Sequence, residues 1–204
     1  MVGIQVYADF TCPYCFLAEF ALKQATTGKA VRIEWMPFEL RPAPAPTLRM
    51  DSDFVQKAWR NSVAPLAHQL GVDIRLPTLA EFPHSRLAFE GLEFAKDRGK
   101  ADEYYARVMG AMFQESKDIG DTAVLTHLAS EIQLPEIQFR EALESGQYSQ
   151  RVETLLKHAY GEMRITGVPF FVIGGRSLTG LQTPDTLAAA IEASRASTAA
   201  RPSS

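Results

Sequence analysis

Hydrophobic and polar positions alternate in the first ten residues of the chain and then change to a helical spacing. Ile4, Val6 and Ala8 alternate with other side chains, which predicts a strand that stops at Thr-Cys-Pro. Apolar residues then recur every three or four positions between Tyr14 and Ala25, which predicts a helix. Residues 30–38 alternate again. The chain is therefore predicted to open as strand, helix and parallel strand.

Helical spacing dominates the middle of the chain, from Asp51 to about Arg164. The proline-rich segment 39–50 in front of this block is predicted to be extended. Within the block, Pro65 is expected to break the first helix. The pattern is clearest in residues 101–116, where one apolar stripe is formed by Tyr105, Val108, Met109, Met112 and Phe113.

Strand character returns near the C-terminus. Two short strands are predicted over residues 167–180, joined by a hairpin at Gly174 and Gly175. A final helix is predicted over residues 183–196, with Thr183 as its N-cap. Strands at both ends of the chain and helices between them predict an α/β fold with a helical insertion.

This order predicts three parts of the chain. Residues 1–45 and 160–197 form one discontinuous α/β domain, residues 46–159 form an inserted all-helical domain, and residues 198–204 form a disordered tail. The chain has 204 residues, of which 46% are hydrophobic, and this is enough for a packed core. Because a core accounts for the apolar stripes, they carry no prediction about oligomeric state.

Charge and the N-terminal sequence narrow the function classes. The formal net charge is -3, so there is no basic excess to neutralise the phosphates of nucleic acid or of an anionic membrane. The first residues do not resemble a secretory signal, and no apolar run has the length of a membrane span. We therefore expect a cytoplasmic protein whose partner is a protein or a small molecule, with no nucleic acid and no membrane.

Both cysteines of the chain lie in the sequence Cys-Pro-Tyr-Cys at the predicted junction of strand and helix. In a cytoplasmic protein, a Cys-x-x-Cys pair beside a strand-helix-strand pattern is typical of a redox-active dithiol. The free N–H groups and the dipole at a helix start stabilise a thiolate, so we expect Cys12 to be the nucleophile. Cys15 lies one turn further along and is expected to attack the mixed disulfide on Cys12.

The cysteine pair also fits alternatives to a redox-active dithiol. Two buried structural thiols are compatible with the same spacing, although a Cys-Pro-aromatic-Cys sequence at a strand-to-helix junction is a demanding coincidence. A closed zinc site needs four protein ligands, and the histidines stand singly in the sequence, so no metal is predicted within one chain. A cluster shared between two subunits is not excluded by sequence.

Further candidate site residues lie near the dithiol or far along the chain. Val168-Pro169 opens a predicted strand, and a proline there either starts the strand or follows a cis bond that leaves backbone groups free to pair with a substrate. Asp9, just before the motif, and Glu39, after the second strand, are candidates for proton transfer or for tuning a thiol pKa. Capping or solvated roles fit these two carboxyl groups as well.

Together these features resemble the DsbA-like thioredoxin superfamily and, within it, the FrnE-like cytosolic branch. The resemblance rests on Cys-Pro-Tyr-Cys, on the helical insertion, on "GVPFFVIGG" with "LTGLQ", and on residues 35–42 and 115–125, so it covers nearly the whole chain. It implies a thioredoxin-like fold over residues 1–45 and 160–197, interrupted by a large α-helical domain.

The resemblance also implies roles for individual residues. Cys12 attacks and Cys15 resolves, while Pro169 is cis and lies beside them. Val168 pairs with the substrate backbone. The substrate also faces the two residues between the cysteines, which are Pro13 and Tyr14.

Two departures from the family pattern refine the expected function. Many FrnE-like proteins have tryptophan where this chain has Tyr14, whose motif is the one usual in glutaredoxins. Relatives that act as kappa-class glutathione transferases or 2-hydroxychromene-2-carboxylate isomerases have serine where this chain has Cys12, which favours thiol exchange here.

The predicted function is therefore a thiol-disulfide oxidoreductase that acts on protein or small-thiol disulfides. Its redox-active group is the dithiol itself, glutathione is a candidate co-substrate, and no other cofactor is expected. A glutathione-dependent isomerase or transferase is the alternative enzyme. A non-catalytic binding module with an inert dithiol is the third interpretation.

Overall fold

The first strand of the chain lies inside a four-stranded sheet. The computed structural model describes residues 1–199, in which β1 (Val2–Ala8) is followed by α1 (Pro13–Thr26) and β2 (Val31–Pro37). The strand order is β2-β1-β3-β4, where β3 is Phe170–Ile173 and β4 is Arg176–Thr179. β1 runs parallel to β2 and antiparallel to β3, and β3 forms an antiparallel hairpin with β4. The predicted strand-helix-strand opening and the C-terminal hairpin are confirmed.

Seven α-helices lie between β2 and β3 in the described chain. They are α2 (Asp53–Ala58), α3 (Ala64–Leu70), α4 (Arg86–Lys96), α5 (Ala101–Phe113), α6 (Thr122–Glu131), α7 (Glu136–Glu144) and α8 (Ser149–Lys157). Single π-helical turns follow α2, over Trp59–Val63, and α8, over His158–Glu162. All four named strands lie outside residues 46–159, and we keep the predicted division into an α/β domain and an inserted helical domain as a proposal.

Pro65 does not break the helix in which it lies. It is the second residue of α3, directly after the first π-helical turn, and the helical path continues from Asp53 to Leu70. The backbone N–H of Ala64 donates to the carbonyl of Trp59, five residues earlier. The predicted break is wrong for two reasons. The π-helical turn is wider than an α-helical turn, and Pro65 lies in the first turn of α3, where a missing N–H costs little.

The last helix, α9 (Pro184–Ala199), begins where the sequence predicts it. Thr183 caps it, since its side-chain hydroxyl accepts a hydrogen bond of 3.2 Å from the backbone N–H of Thr186. The helix runs to Ala199, and the rest of the predicted disordered tail, residues 200–204, lies outside the described residues. Among residues 1–199 there is no helix long and apolar enough to cross a bilayer.

Near the C-terminal end of β1, side chains on both faces of the sheet are buried. Ile4, Val6 and Ala8 point into the main core, while Tyr7 packs on the opposite face with Met36 of β2. Because side chains alternate along a strand, apolar residues at every position near its end require cover on both faces. Helix packing on both sides therefore holds the end of β1 in place.

Phe10 joins the sheet to the inserted helices. It is fully buried after the end of β1, and its ring lies 4.9 Å from the ring of Phe89 in α4 and 5.3 Å from that of Tyr105 in α5, centroid to centroid. The main hydrophobic core is consequently continuous across the two predicted domains. The sheet and the inserted helices therefore both support the turn that carries Cys12.

We expect Phe10→Ala to lower the free energy of unfolding by about 3–5 kcal/mol, because it removes a buried ring and leaves a cavity between the sheet and the helices. Urea titration would measure the change. The matched control is Ile137→Ala on α7, where the side chain is 70% exposed and the expected change is within about 0.5 kcal/mol. Equal effects of the two substitutions would contradict the role given to Phe10.

Candidate functional site

The two cysteines lie where β1 ends and α1 begins. Cys12 is the N-cap of α1, with an extended backbone at φ -94° and ψ 112°, and Pro13 is the first helical residue. The Cys12 carbonyl accepts hydrogen bonds of 3.0 Å from the backbone N–H of Cys15 and 3.3 Å from that of Phe16. The proline has no N–H that would need a partner at this position, so it costs the start of the helix little.

The Cys12 thiol faces the start of β3. Its Sγ lies 3.7 Å from the carbonyl oxygen of Val168, to which the thiol donates a hydrogen bond. The Val168-Pro169 peptide bond is cis, and Pro169 is buried. The structure thus brings together the two segments that the sequence singled out at opposite ends of the chain.

The Cys15 thiol is held in its protonated form. It is only 1% exposed, and burial is the largest cause that raises its pKa well above the ordinary range. Its hydrogen bond with the Cys12 side chain and the negative charges of Cys12 and Asp9 raise the pKa further, while a hydrogen bond to the backbone of Asp9 lowers it. Cys15 must therefore lose a proton to a base before it can attack a disulfide.

Asp9 is buried beside the dithiol. One carboxylate oxygen accepts a hydrogen bond of 2.6 Å from the backbone N–H of Leu40, and the other accepts one of 3.0 Å from that of Thr11. Burial raises the pKa of the Asp9 carboxyl, and these hydrogen bonds, together with those of the Ser85 and Thr11 side chains, offset part of the rise. A carboxyl group with a raised pKa next to a protonated thiol is a suitable proton acceptor.

Glu39 makes a different set of contacts from Asp9. Its buried carboxylate forms an ion pair with the Arg86 guanidinium at the start of α4. Its backbone N–H donates to the Tyr160 hydroxyl at 3.1 Å, and that hydroxyl donates to the Glu39 carbonyl at 2.8 Å. Glu39 is not among the residues that line the cavity beside Cys12. Its contacts fit a role in joining the loop after β2 to the inserted helices.

A cavity of about 230 Å³ opens beside Cys12. Pro13 and Tyr14 lie on one side of it, and Asp9 and Ser85 contribute polar groups near the thiol. The opposite wall comes from α2 and the π-helical turn that follows it, through Phe54, Val55, Ala58, Trp59 and Val63. The inserted helices therefore supply the apolar wall of the candidate site.

Tyr14 connects the dithiol motif to that wall. Its phenol hydroxyl donates a hydrogen bond of 2.8 Å to the Ser62 hydroxyl in the π-helical turn. Ser62 carries no sequence signal of its own, because a single serine in a polar stretch of helix has no distinguishing pattern. The structure alone identifies it as part of the site.

Sequence reasoning also missed Glu19, one turn after Cys15 on α1. Burial raises the pKa of its carboxyl to about 7, nearby Lys23 lowers it, and the charge of Asp102 on α5 raises it. Glu19 follows Cys15 by four residues, so the two side chains lie on one face of the helix. This spacing is the sequence signal that could have identified Glu19.

Tyr105 was expected only as part of an apolar stripe, and it packs as one. Its ring stacks on that of Trp35 at a centroid distance of 3.6 Å and an interplanar angle of 8°. Its hydroxyl is buried and has no hydrogen-bond partner within residues 1–199. Over the same residues, no group of three or more His, Cys, Asp and Glu side chains is arranged to hold a metal ion.

A sheet in the order β2-β1-β3-β4, with a Cys-x-x-Cys helix start facing a cis-proline, defines the thioredoxin-fold class. The model of the DSBA-like thioredoxin domain family matches residues 3–192. The chain is also 45% identical over 191 residues to YwbO, an uncharacterized protein of Bacillus subtilis (strain 168), across 93% of this chain and 96% of that one. The chain belongs to the DSBA-like thioredoxin domain family, and the predicted fold class is confirmed.

Solved structures with the same fold come from proteins of different described activities. The structure of a "probable DsbA oxidoreductase" from Streptomyces coelicolor has a TM-score of 0.85 at 19% identity and covers 100% of this chain and 93% of its own. A 2-hydroxychromene-2-carboxylate isomerase has a TM-score of 0.79 at 19% identity, over 98% and 100% of the two chains. The cytosolic disulfide reductase DsbM from Pseudomonas aeruginosa, solved with GSH, has a TM-score of 0.70 at 17% identity, over 97% of each chain. At these identities the likeness concerns the fold.

The raised pKa of Glu19 predicts a specific pH dependence of stability. The carboxyl titrates at about 7 in the folded protein and at 4.5 when unperturbed, so the folded state binds the proton more tightly. The contribution of the protonated Glu19 carboxyl to the stability of the folded state is fully present below pH 4.5 and is lost as the pH rises through 7. We expect Glu19→Gln to remove this loss, which makes the variant more stable relative to wild type at pH 8 than at pH 5 by roughly 1–3 kcal/mol.

Urea denaturation at the two pH values measures this difference. The matched control is Glu144→Gln, which changes an exposed carboxyl on α7 and should leave the pH dependence as in wild type. A Glu19→Gln protein with the wild-type pH profile would show that this carboxyl titrates normally.

Proposed function

We propose that the protein is a thiol-disulfide oxidoreductase that exchanges disulfides with protein or small-thiol substrates through Cys12 and Cys15. The observation that carries the proposal is the position of the Cys12 thiol, at the N-cap of α1 and 3.7 Å from the Val168 carbonyl. Cys12 thus occupies the N-terminus of a helix, the end at which the helix dipole favours an anionic group. A substrate bound along the start of β3 would bring its sulfur to Cys12.

In the reducing direction, the Cys12 thiolate attacks one sulfur of the substrate disulfide. A new S–S bond joins Cys12 to that sulfur, the substrate S–S bond breaks, and the other sulfur leaves as a thiolate that takes up a proton. Cys15 then loses its proton and attacks the Cys12 sulfur, which releases the second substrate thiol. Two electrons pass to the substrate, and the Cys12–Cys15 disulfide remains.

The contrast between the two thiols fits this order of steps. Cys12 adjoins the cavity, while Cys15 is buried and its raised pKa keeps it protonated until the mixed disulfide forms. Asp9 is the proposed acceptor of the Cys15 proton, because its carboxyl is buried beside the pair and its pKa is raised toward that of a useful base. Pro13 and Tyr14 are proposed to contact the substrate from the cavity side.

A low-molecular-weight thiol is the proposed partner that returns the dithiol to its starting state. Two molecules of glutathione reduce the Cys12–Cys15 disulfide and become glutathione disulfide, and no further cofactor is needed for the cycle. The fold similarity to a cytosolic disulfide reductase solved with GSH supports this choice and the cytoplasmic location that we propose. The reduction potential of the pair decides the net direction.

A glutathione-dependent isomerase or transferase is the second candidate. The apolar cavity beside Cys12 and the fold similarity to a 2-hydroxychromene-2-carboxylate isomerase favour it. Saturable glutathione binding, with isomerase or transferase turnover that survives Cys15→Ser, would support this candidate. No binding at millimolar glutathione would eliminate it.

Substitution of each cysteine separates the proposed steps. Cys12→Ser should abolish the reduction of insulin disulfides, because the attacking sulfur is lost. Cys15→Ser should retain attack but trap the substrate as a mixed disulfide on Cys12, which intact-protein mass spectrometry detects. Thermal unfolding of both variants is the control for folding. Insulin reduction by Cys12→Ser at the wild-type rate would refute the assignment.

Asp9→Asn tests the proposed proton acceptor. We expect the resolving step to slow by roughly a hundredfold, as for the loss of a general base, while the first attack by Cys12 keeps its rate. Rapid-quench measurements of the mixed disulfide would follow the two steps separately, over a range of pH. A resolving step with the wild-type rate and pH profile would exclude Asp9 as the base.

A further inference from the structure

The Cys12 thiol is nearly enclosed by the protein and lies beside the cavity. Cys12 is only 3% exposed, with the Val168 carbonyl close to its sulfur and the cavity beside it. Leu40 and Phe54, which also line the cavity, are 45% and 65% exposed, so apolar side chains mark its mouth. A cavity of about 230 Å³ accommodates one side-chain-sized group next to the Cys12 sulfur.

The lining of the cavity disfavours charged groups. Among the lining residues of the described chain, Arg41 is the only cationic side chain, and it is exposed. The carboxylate of Asp9, the only anionic one in the same lining, already accepts hydrogen bonds from the protein backbone. Most of the remaining lining residues are apolar. Since burial of an unpaired charge is costly, the inner cavity suits an uncharged apolar group.

One hydrogen bond between side chains joins the dithiol motif to the apolar wall. The Tyr14 hydroxyl donates to Ser62 at 2.8 Å, and Ser62 lies in the same π-helical turn as the wall residues Trp59 and Val63. Tyr14 itself lies between the two cysteines. The bond therefore spans from the reactive motif to the element that supplies the apolar wall.

We propose that this cavity binds an aromatic or branched apolar group attached to the sulfur that Cys12 attacks, and that the Tyr14–Ser62 hydrogen bond holds the cavity open. The preferred substrate is then a low-molecular-weight disulfide with an apolar substituent. This inference rests on the proposed oxidoreductase function and names its substrate class. Ser62 acts in it as a positioning residue through Tyr14, which itself lines the cavity.

Two pyridyl disulfides with a common leaving group test the proposal. One carries a phenylethyl group and the other a hydroxyethyl group on the sulfur that is attacked, and pyridinethione release by the reduced protein reports the attack step for both. Burial of the phenyl ring predicts a kcat/KM roughly ten- to a hundredfold higher for the phenylethyl substrate than for the hydroxyethyl one. The same ratio measured with free dithiothreitol corrects for intrinsic reactivity.

Filling the cavity should remove this preference. Ala58→Phe places a ring in the space from the α2 wall, and we expect the corrected kcat/KM values of the phenylethyl and hydroxyethyl substrates to become equal. The matched control is Ala106→Phe, at an exposed position of α5 outside the cavity, which should keep the full preference.

Removal of either partner of the Tyr14–Ser62 hydrogen bond should weaken the preference for the phenylethyl substrate. Ser62→Ala leaves the Cys-Pro-Tyr-Cys motif unchanged, and Tyr14→Phe keeps the aromatic ring. We expect each to reduce the phenylethyl preference severalfold, and the double variant to reduce it no further than either single variant, because the two residues act through one bond. A purely structural role would lower stability without changing this ratio.

The outcomes separate the inference from the proposed function. If neither disulfide is cleaved faster than by free dithiothreitol, the oxidoreductase proposal itself fails. Equal corrected kcat/KM values for the two substrates would refute the apolar cavity site while the oxidoreductase proposal stands. A pyridyl disulfide of a cysteine in an extended phenylalanine-containing peptide, if cleaved faster than the phenylethyl compound, would overturn the small-molecule assignment in favour of peptides.

Discussion

The antiparallel pairing of β1 with β3 is the constraint on which the candidate site depends. Tyr7 pairs with Phe170 at the end of the ladder, so the residues that follow β1 and those that precede β3 meet at one edge of the sheet. Cys12 and Val168, which lie 156 positions apart in sequence, become neighbours for this reason. The parallel partner β2 encloses β1 on its other side and keeps the strand inside the sheet.

The two thiols differ chemically because they have different surroundings at this edge of the sheet. Cys12 ends an extended segment at the helix start and adjoins the cavity, whereas Cys15 is one turn inside the core. Burial raises the pKa of Cys15, and Asp9 is held beside it by backbone donors. One short motif thus contains a site for attack and a site for delayed resolution.

The inserted helices complete this site. Phe10 packs on α4 and α5, and the ion pair of Glu39 with Arg86 joins the loop after β2 to the start of α4. An unpaired buried carboxylate is costly, so loss of Arg86 would destabilise this contact between the loop and α4. The wall from α2 then forms the cavity that the sheet and α1 alone would leave open.

Local chemistry determined much of this protein from its sequence alone. Apolar periodicity identified the strands and most helices, and Cys-Pro-Tyr-Cys identified the dithiol, because each of these signals acts within a few neighbouring residues. Contacts between distant segments were decided by the tertiary structure. Glu39 pairs with Arg86 instead of joining Asp9 at the cavity, and Ser62 receives the Tyr14 hydrogen bond. Pairs such as these form only after the core packs particular helix and strand faces together. The apolar periodicity of one segment carries no information about where a distant segment will lie.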